Sequence, residues 1–182
     1  MTTTPDIRLK PGESPRLTAG SWRLAPADSF VSFTARLPWR RVRGQLPLTG
    51  QVLIADPVEC SRALLTARTS AVRTGSTVLD RALAGPAFLD ARAYPDISFH
   101  SDLLTWVPSG WRAIGRLRVK DREHELACEF GVHYGHPGLG DVPRPLVTCR
   151  WVIDSAWVAS QRIPALDRRI EMTCSFRLDR DM

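Results

Sequence analysis

From Ser21 onward, apolar and polar residues alternate with a period of two, the pattern of strands that bury one face. Residues 111–119 show it most plainly. Trp111, Ala113, Gly115, Leu117 and Val119 share one face, and Arg112, Arg116 and Arg118 the other. After the polar corner at 120–123 the pattern resumes, with His124, Leu126, Cys128, Phe130 and Val132 set against Glu123, Glu125 and Glu129. Two such runs across a short polar turn predict an antiparallel hairpin. Arginines outside one run and glutamates outside the other suit cross-strand charge pairs.

The same period recurs near the end of the chain. Val147, Cys149, Trp151 and Ile153 alternate with Thr148 and Arg150; Ile170, Met172, Cys174, Phe176 and Leu178 alternate with Glu171, Thr173, Ser175, Arg177 and Asp179. Near the start, Val31, Phe33, Ala35 and Leu37 face away from Ser32, Thr34 and Arg36. Residues 50–56 and 63–72 add two more strands, and Ile97 and Phe99 begin another. About eight strands with short connections imply an all-β closed barrel or a sandwich. One segment departs from the pattern. Residues 76–85 place Val78, Leu79, Ala82 and Leu83 at helical spacing, with Thr77 and Asp80 as a capping box and Gly85-Pro86 as the stop. A short helix closing one end of the β structure is expected there.

Residues 1–20 are rich in Thr, Pro, Gly and Ser and have no periodicity. They read as a flexible extension, leaving 21–182 as a single β domain. Neither they nor any later segment holds a long apolar run, which predicts no transmembrane helix and a cytoplasmic location. The net charge of +6 gathers in Arg36, Arg40, Arg41 and Arg43 and again in residues 161–169. Such a surface attracts anionic partners, an anionic membrane or nucleic acid among them, yet it is also ordinary for an arginine-rich soluble protein.

Candidate chemistry is sparse. His133 and His136 are three apart in a Gly-rich loop, and His124 or Cys149 would have to complete a metal site. No ligand set closes, so no metal is expected. His100, on the polar side of its strand, carries no functional weight. Cys60, Cys128, Cys149 and Cys174 contain no CxxC pair; the last three sit on apolar faces, where a thiol packs as a small hydrophobe and loses reactivity. There is no nucleophile elbow, and the glutamates lie on an outer strand face. Neither catalytic residues nor cofactors are expected.

The aromatics remain. Phe33, Phe99, Trp111, Phe130, Trp151 and Phe176 come from different strands but share the inward face, while Ala35, Ala67, Ala113 and Gly115 leave room along the axis. A barrel of about eight strands is just wide enough to hold one elongated apolar ligand. The residues alone leave a ligand cavity and a filled core equally open.

Residues 69–101 add what spacing cannot. Thr74-Gly75, Asp80, Leu83, Phe88, Asp90, Tyr94-Pro95, Ile97, Phe99 and Ser101 resemble the most characteristic part of the YceI-like polyisoprenoid-binding family. Residues 22–36 resemble its opening Trp and Ser-x-Val-x-Phe strand. Gly44 and Asp56-Pro57 fit the next hairpin, and residues 115–126 fit its strand-turn-strand. The resemblance implies an extended eight-stranded antiparallel lipocalin-like barrel, with a long pore for a polyisoprenoid such as a prenyl quinone or prenyl alcohol, and no covalent chemistry. It differs at the helix, where Leu79 and Ala82 stand in place of the family's Arg and His. In the late segment Asp154 or Ser155 replaces an Arg, and Trp157 stands in for an aromatic. Many members are exported, and this chain shows no signal peptide.

The reading is a non-enzymatic carrier of a polyisoprenoid or other long-chain lipid. Its cavity would be lined by Phe33, Ala35, Phe99, Trp111, Ala113, Leu117, Phe130, Trp151, Met172 and Phe176. An anionic membrane is a further partner through Arg36, Arg40, Arg41 and Arg43. The alternative is a basic module with a packed barrel that binds protein or nucleic acid, nucleic acid being the less favoured partner. Neither the head group nor the oligomeric state follows from the sequence.

Overall fold

The computed structural model describes residues 17–108, 110–134, 144–160 and 166–181. Its strands are β1 (Gly20–Leu24), β2 (Phe30–Leu37), β3 (Arg40–Ile54), β4 (Arg62–Arg68), β5 (Asp96–Val107), β6 (Gly110–Val119), β7 (Arg122–Tyr134), β8 (Pro145–Asp154) and β9 (Arg169–Arg180). From β2 to β9 each strand pairs antiparallel with the next, and β9 closes on β2. This is an eight-stranded lipocalin-like barrel. β1 is no ninth stave. It pairs with the lower part of β3 and with the end of β9, continuing the slot that β2 occupies higher up. A 3-10 turn at Pro26–Asp28 separates the two pieces of this broken first stave.

The up-and-down order sends connections alternately to two ends. At the upper end lie the β2–β3 turn, the long β4–β5 connection, the β6–β7 turn and the β8–β9 connection. The β6–β7 hairpin matches the alternation that predicts it: Arg112 faces Glu129, Arg116 faces Glu125 and Arg118 faces Glu123. Arg112 Nη2 pairs with Glu129 Oε1 at 2.6 Å. Arg116 instead reaches across to Asp102 of β5 at 3.1 Å and diagonally to Glu123 at 3.7 Å. Asp102 is within reach because the β5–β6 register shifts between Ser101 and Leu103. At this bulge a Cβ on Gly115 would collide with the His100 carbonyl. Only glycine lets the two backbones approach there.

The helix α1 (Thr77–Ala84) lies in the β4–β5 connection, close to its expected span. Its capping differs from the expectation. Ser76 is the N-cap, its hydroxyl accepting the Leu79 N–H at 3.4 Å. Asp80 forms no capping box with Thr77; its Oδ1 accepts from the Thr74 N–H at 2.7 Å and the Thr74 hydroxyl at 2.6 Å. The connection is tied at its base by Thr69, which is 1% exposed. The Thr69 hydroxyl lies 2.8 Å from both the Tyr94 and Pro95 carbonyls, and its N–H donates to the Pro95 carbonyl at 2.9 Å. The strand expected over 63–72 accordingly ends at Arg68, and a 3-10 turn follows.

Residues 1–16, the bulk of the expected extension, lie outside the described residues. Of the rest of that segment, Leu17 is buried, and Trp22 Nε1 donates to the Thr18 carbonyl at 3.1 Å. Among the described residues no helix is long and apolar enough to cross a membrane.

Candidate functional site

A void of about 400 Å³ occupies the upper part of the barrel, within the ~300–1,000 Å³ typical of small-molecule sites. Phe33 and Ala35 from β2, Phe99 from β5, Leu117 from β6, Trp151 from β8 and Met172 from β9 all line it. Phe33, Phe99, Trp151 and Met172 point inward from mid-strand, yet none is fully buried. The surface they leave uncovered faces this void.

A smaller void of about 80 Å³ lies below it, lined by Trp111, Ala113, Phe130 and Phe176 among others. Leu65, Phe99, Leu117, Trp151 and Cys174 border both voids and form the wall between them. Leu17 packs into the lower void from the chain start. Trp111 is held in place there, stacked on Phe130 at 5.9 Å and edge-on to Trp106 at 5.4 Å.

The upper void opens at the β2–β3 turn. Trp39 and Arg40 line it there, and Trp39 is 72% exposed. The rest of that end is covered by the connections. From α1 and its exit, Leu79, Leu83, Phe88 and Leu89 face the void; from the β8–β9 connection, Val158 and Leu166 do so. Hydrogen bonds strap the covers together. Lys120 Nζ donates to Ser160 Oγ at 2.8 Å, Ser160 Oγ donates to the Pro86 carbonyl at 2.7 Å, and the Ser160 N–H donates to the Ala87 carbonyl at 2.9 Å. The Asp167 N–H donates to the Arg36 carbonyl at 3.0 Å, anchoring the same connection to β2. Partial burial lowers the Lys120 pKa from its ordinary value.

Polar chemistry inside is slight. Among the described lining residues, Arg40 at the mouth and the thiols of Cys128, Cys149 and Cys174 are the ionisable groups. Hydrogen bonding with Cys149, and then burial, push the Cys128 thiol far up; at Cys149 the bond with Cys128 lowers the pKa, but the hydrogen bond with Cys174 and burial together outweigh it and leave the thiol raised. Thiols so protonated are poor nucleophiles and poor metal ligands. Among the described residues no group of three His, Cys, Asp or Glu side chains is placed to hold a metal ion. The expected loop histidine His136 lies outside the described residues, and His124 is otherwise engaged, stacked on Trp157 at 3.9 Å between ring centres. The indole N–H groups of Trp111 and Trp151 are buried without an acceptor among the described residues. An arrangement of this kind can enclose a hydrocarbon.

All ten residues selected from the sequence line one void or the other, Phe99, Leu117 and Trp151 lining both. Beside further strand residues such as Leu46, Leu65 and Ile97, the connections supply lining that the sequence reading missed: Leu83, Phe88, Leu89, Val158, Leu166 and Trp39. The helical spacing of Leu79 and Leu83 was the available signal, but it marks an apolar face without showing what that face covers. At the two positions where the family resemblance expects charge, Leu79 presents hydrocarbon to the void and Ala82 is exposed. Asp154, in the late segment, serves its own turn. It accepts the Ala156 N–H at 2.9 Å and pairs with Arg168 at 2.9 Å, contacts that lower its pKa.

No curated protein sequence matches this one. Solved structures match it over most of their length. The BcnA protein of Burkholderia cenocepacia superposes with a TM-score of 0.71 at 16% identity, covering 85% of this chain and 98% of that one. A polyisoprenoid-binding domain from Saccharophagus degradans, implicated in plant cell wall breakdown, gives 0.64 at 13% identity, with 88% and 98% covered. The YCEI protein of Campylobacter jejuni gives 0.60 at 12% identity, with 81% and 89% covered. At these identities the likeness establishes the barrel. A sequence model of the YceI-like domain matches residues 22–170, and with that match over most of its length the chain belongs to the YceI-like domain family.

Proposed function

We propose that the barrel binds and carries a long apolar lipid, a polyisoprenoid chain in the first place, without covalent chemistry. The observation that carries this reading is the upper void, about 400 Å³ in size and walled by hydrocarbon and aromatic side chains, with Arg40 the one guanidinium among its described lining residues, at the mouth. Burying each methylene of a chain there is worth roughly 0.8 kcal/mol, so a tail needs no strong polar contact to bind tightly. The ten inward residues named from the sequence are the proposed contacts. Membership of the YceI-like family supports the reading, as does the polyisoprenoid-binding domain of Saccharophagus degradans among the similar folds.

Native mass spectrometry of the purified protein, mixed with prenyl alcohols of increasing length from detergent micelles, tests it. The expected result is a one-to-one adduct that strengthens with chain length until the void is full. Absence of an adduct at every length, with the barrel folded by circular dichroism, overturns the proposal.

A further inference from the structure

Resting on the lipid-binding reading, we infer that the upper end of the barrel docks onto an anionic phospholipid bilayer with its mouth against the membrane. The apolar part of this surface surrounds the opening. Trp39 lines the void and is 72% exposed; Val78, the neighbour of void-lining Leu79, is 78% exposed on α1. An exposed indole is suited to the interfacial zone of a bilayer, where its ring meets lipid and its N–H meets water.

The charges at this end are unbalanced in one direction. Arg36 and Arg41 face each other across the β2–β3 pair, and like charges so placed repel. Arg36 is neutralised from the other side, by Glu171 at 2.6 Å. Among the described residues Arg41 has no ion pair, and neither have Arg40, Arg43 and Arg81. Acidic groups of this end are ion-paired elsewhere, Asp154 with Arg168, Glu171 with Arg36, Asp96 with Arg68 and Glu123 with Arg116, whereas Asp80 and Asp167 keep their charge and accept hydrogen bonds from Thr74 and the Arg169 N–H. Asp90 and Asp121 lie beside Lys120. Unneutralised arginines flanking exposed apolar side chains complement a surface that is anionic outside and hydrocarbon beneath. A nucleic-acid duplex, its bases stacked inside, would use the arginines but leave the exposed Val78 beside the void without a role. Docking of this kind also opens the void directly onto the bilayer, so a lipid tail need not cross water.

Vesicle sedimentation tests the inference. Wild-type protein is expected to bind phosphatidylcholine vesicles containing phosphatidylglycerol, to release at high salt, and to ignore phosphatidylcholine alone. Removing each arginine charge weakens partitioning about fivefold, so Arg41→Gln/Arg43→Gln/Arg81→Gln together cost on the order of a hundredfold. Arg62→Gln/Arg112→Gln, at the opposite end of the barrel, are the control and leave binding within a few-fold. Trp39 fluorescence shifts to the blue on anionic vesicles, a change lost in Trp39→Phe. Equal binding to neutral vesicles, an unaffected triple variant or an equal loss in the control overturns the proposal. Arginine-dependent binding to duplex DNA without vesicle binding overturns it in favour of nucleic acid. Uptake of prenyl alcohol from micelles, measured without vesicles, separates the two readings. If it persists while vesicle binding fails, docking alone is wrong; if it fails while docking persists, the lipid-carrier reading is wrong.

Discussion

The ring of Phe33 occupies the space that a side chain on Gly44 would fill. The two residues face each other across β2 and β3, and a Cβ built on Gly44 would overlap Phe33 Cζ and come within 3.0 Å of Thr74 Cγ2. The absent side chain lets the ring lie against the wall, leaving the middle of the upper void open. Gly44→Val should therefore push Phe33 into the void. A destabilisation of about 1–3 kcal/mol is expected, the usual cost of overpacking, together with a drop in lipid uptake. Urea unfolding and native mass spectrometry read the two effects separately. If both stay unchanged, the ring has another place to go.

Ala67 gives the complementary case. It is buried in β4, faces Leu48 across the β3–β4 pair and borders the upper void. Ala67→Phe adds a ring where there is empty space. Stability should shift by less than the ~1–3 kcal/mol that a filled core would lose, while uptake of a long prenyl alcohol falls at least tenfold. A large loss of stability would mean that the space is already filled.

Thiol accessibility offers a test that needs no ligand. Cys60 is exposed, whereas Cys174 is buried and Cys128 and Cys149 are largely covered, with thiols raised well above their ordinary range. Since the thiolate is the reacting form, a disulfide-exchange reagent should modify Cys60 quickly in the native protein. The other three should react only after urea is added. Two or more fast thiols in the native state would show that the wall between the voids opens readily.

Much of the barrel was legible because one physical demand, an apolar inward face, repeats at every second residue of β2 and β6 through β9. It became illegible where that demand was met by something other than a side chain. In β3 the inward positions are Val42, Gly44, Leu46, Leu48, Gly50, Val52 and Ile54, but Gly44 yields its place to Phe33, and a Cβ on Gly50 would collide with the Leu64 carbonyl. Two glycines and the outward Arg41 and Arg43 hide a strand that runs over Arg40–Ile54, so only its last part was read. The mouth was hidden for another reason. Leu83, Phe88, Val158 and Leu166 come from connections with no shared period, and only the closed fold brings them to one void.

Buried hydrogen bonds should outweigh surface charge pairs in holding this fold. Thr69, almost fully buried, closes the base of the β4–β5 connection through Tyr94 and Pro95. Thr69→Val keeps the shape and strips the hydroxyl from two buried carbonyls, a loss of about 1–3 kcal/mol. Arg112 and Glu129 are each nearly half exposed despite their 2.6 Å contact, so Arg112→Gln should cost under about 1 kcal/mol. Paired urea titrations decide the order, and a reversal would assign the long connection a smaller part in stability than its packing implies.

His124 and Trp157 join the β6–β7 hairpin to the β8–β9 connection, their rings stacked at 3.9 Å and 12°. Burial, and then the charge of Arg122, lower the His124 pKa from its ordinary 6.5. The unfolded chain therefore takes up a proton at a higher pH than the folded one. Above about pH 7 both states are neutral at this position and stability is independent of its titration. As the pH falls through 6.5 the unfolded state is protonated first, and stability declines until the folded pKa is passed. Asp154, whose pKa is lowered from 3.8, acts in a separate and more acidic window. The chain holds three other histidines, so the informative quantity is a difference. His124→Gln cannot take the proton, and the stability advantage of wild type over this variant should shrink between pH 7.5 and 5. A constant difference across that range would mean that His124 is as easily protonated in the barrel as outside it.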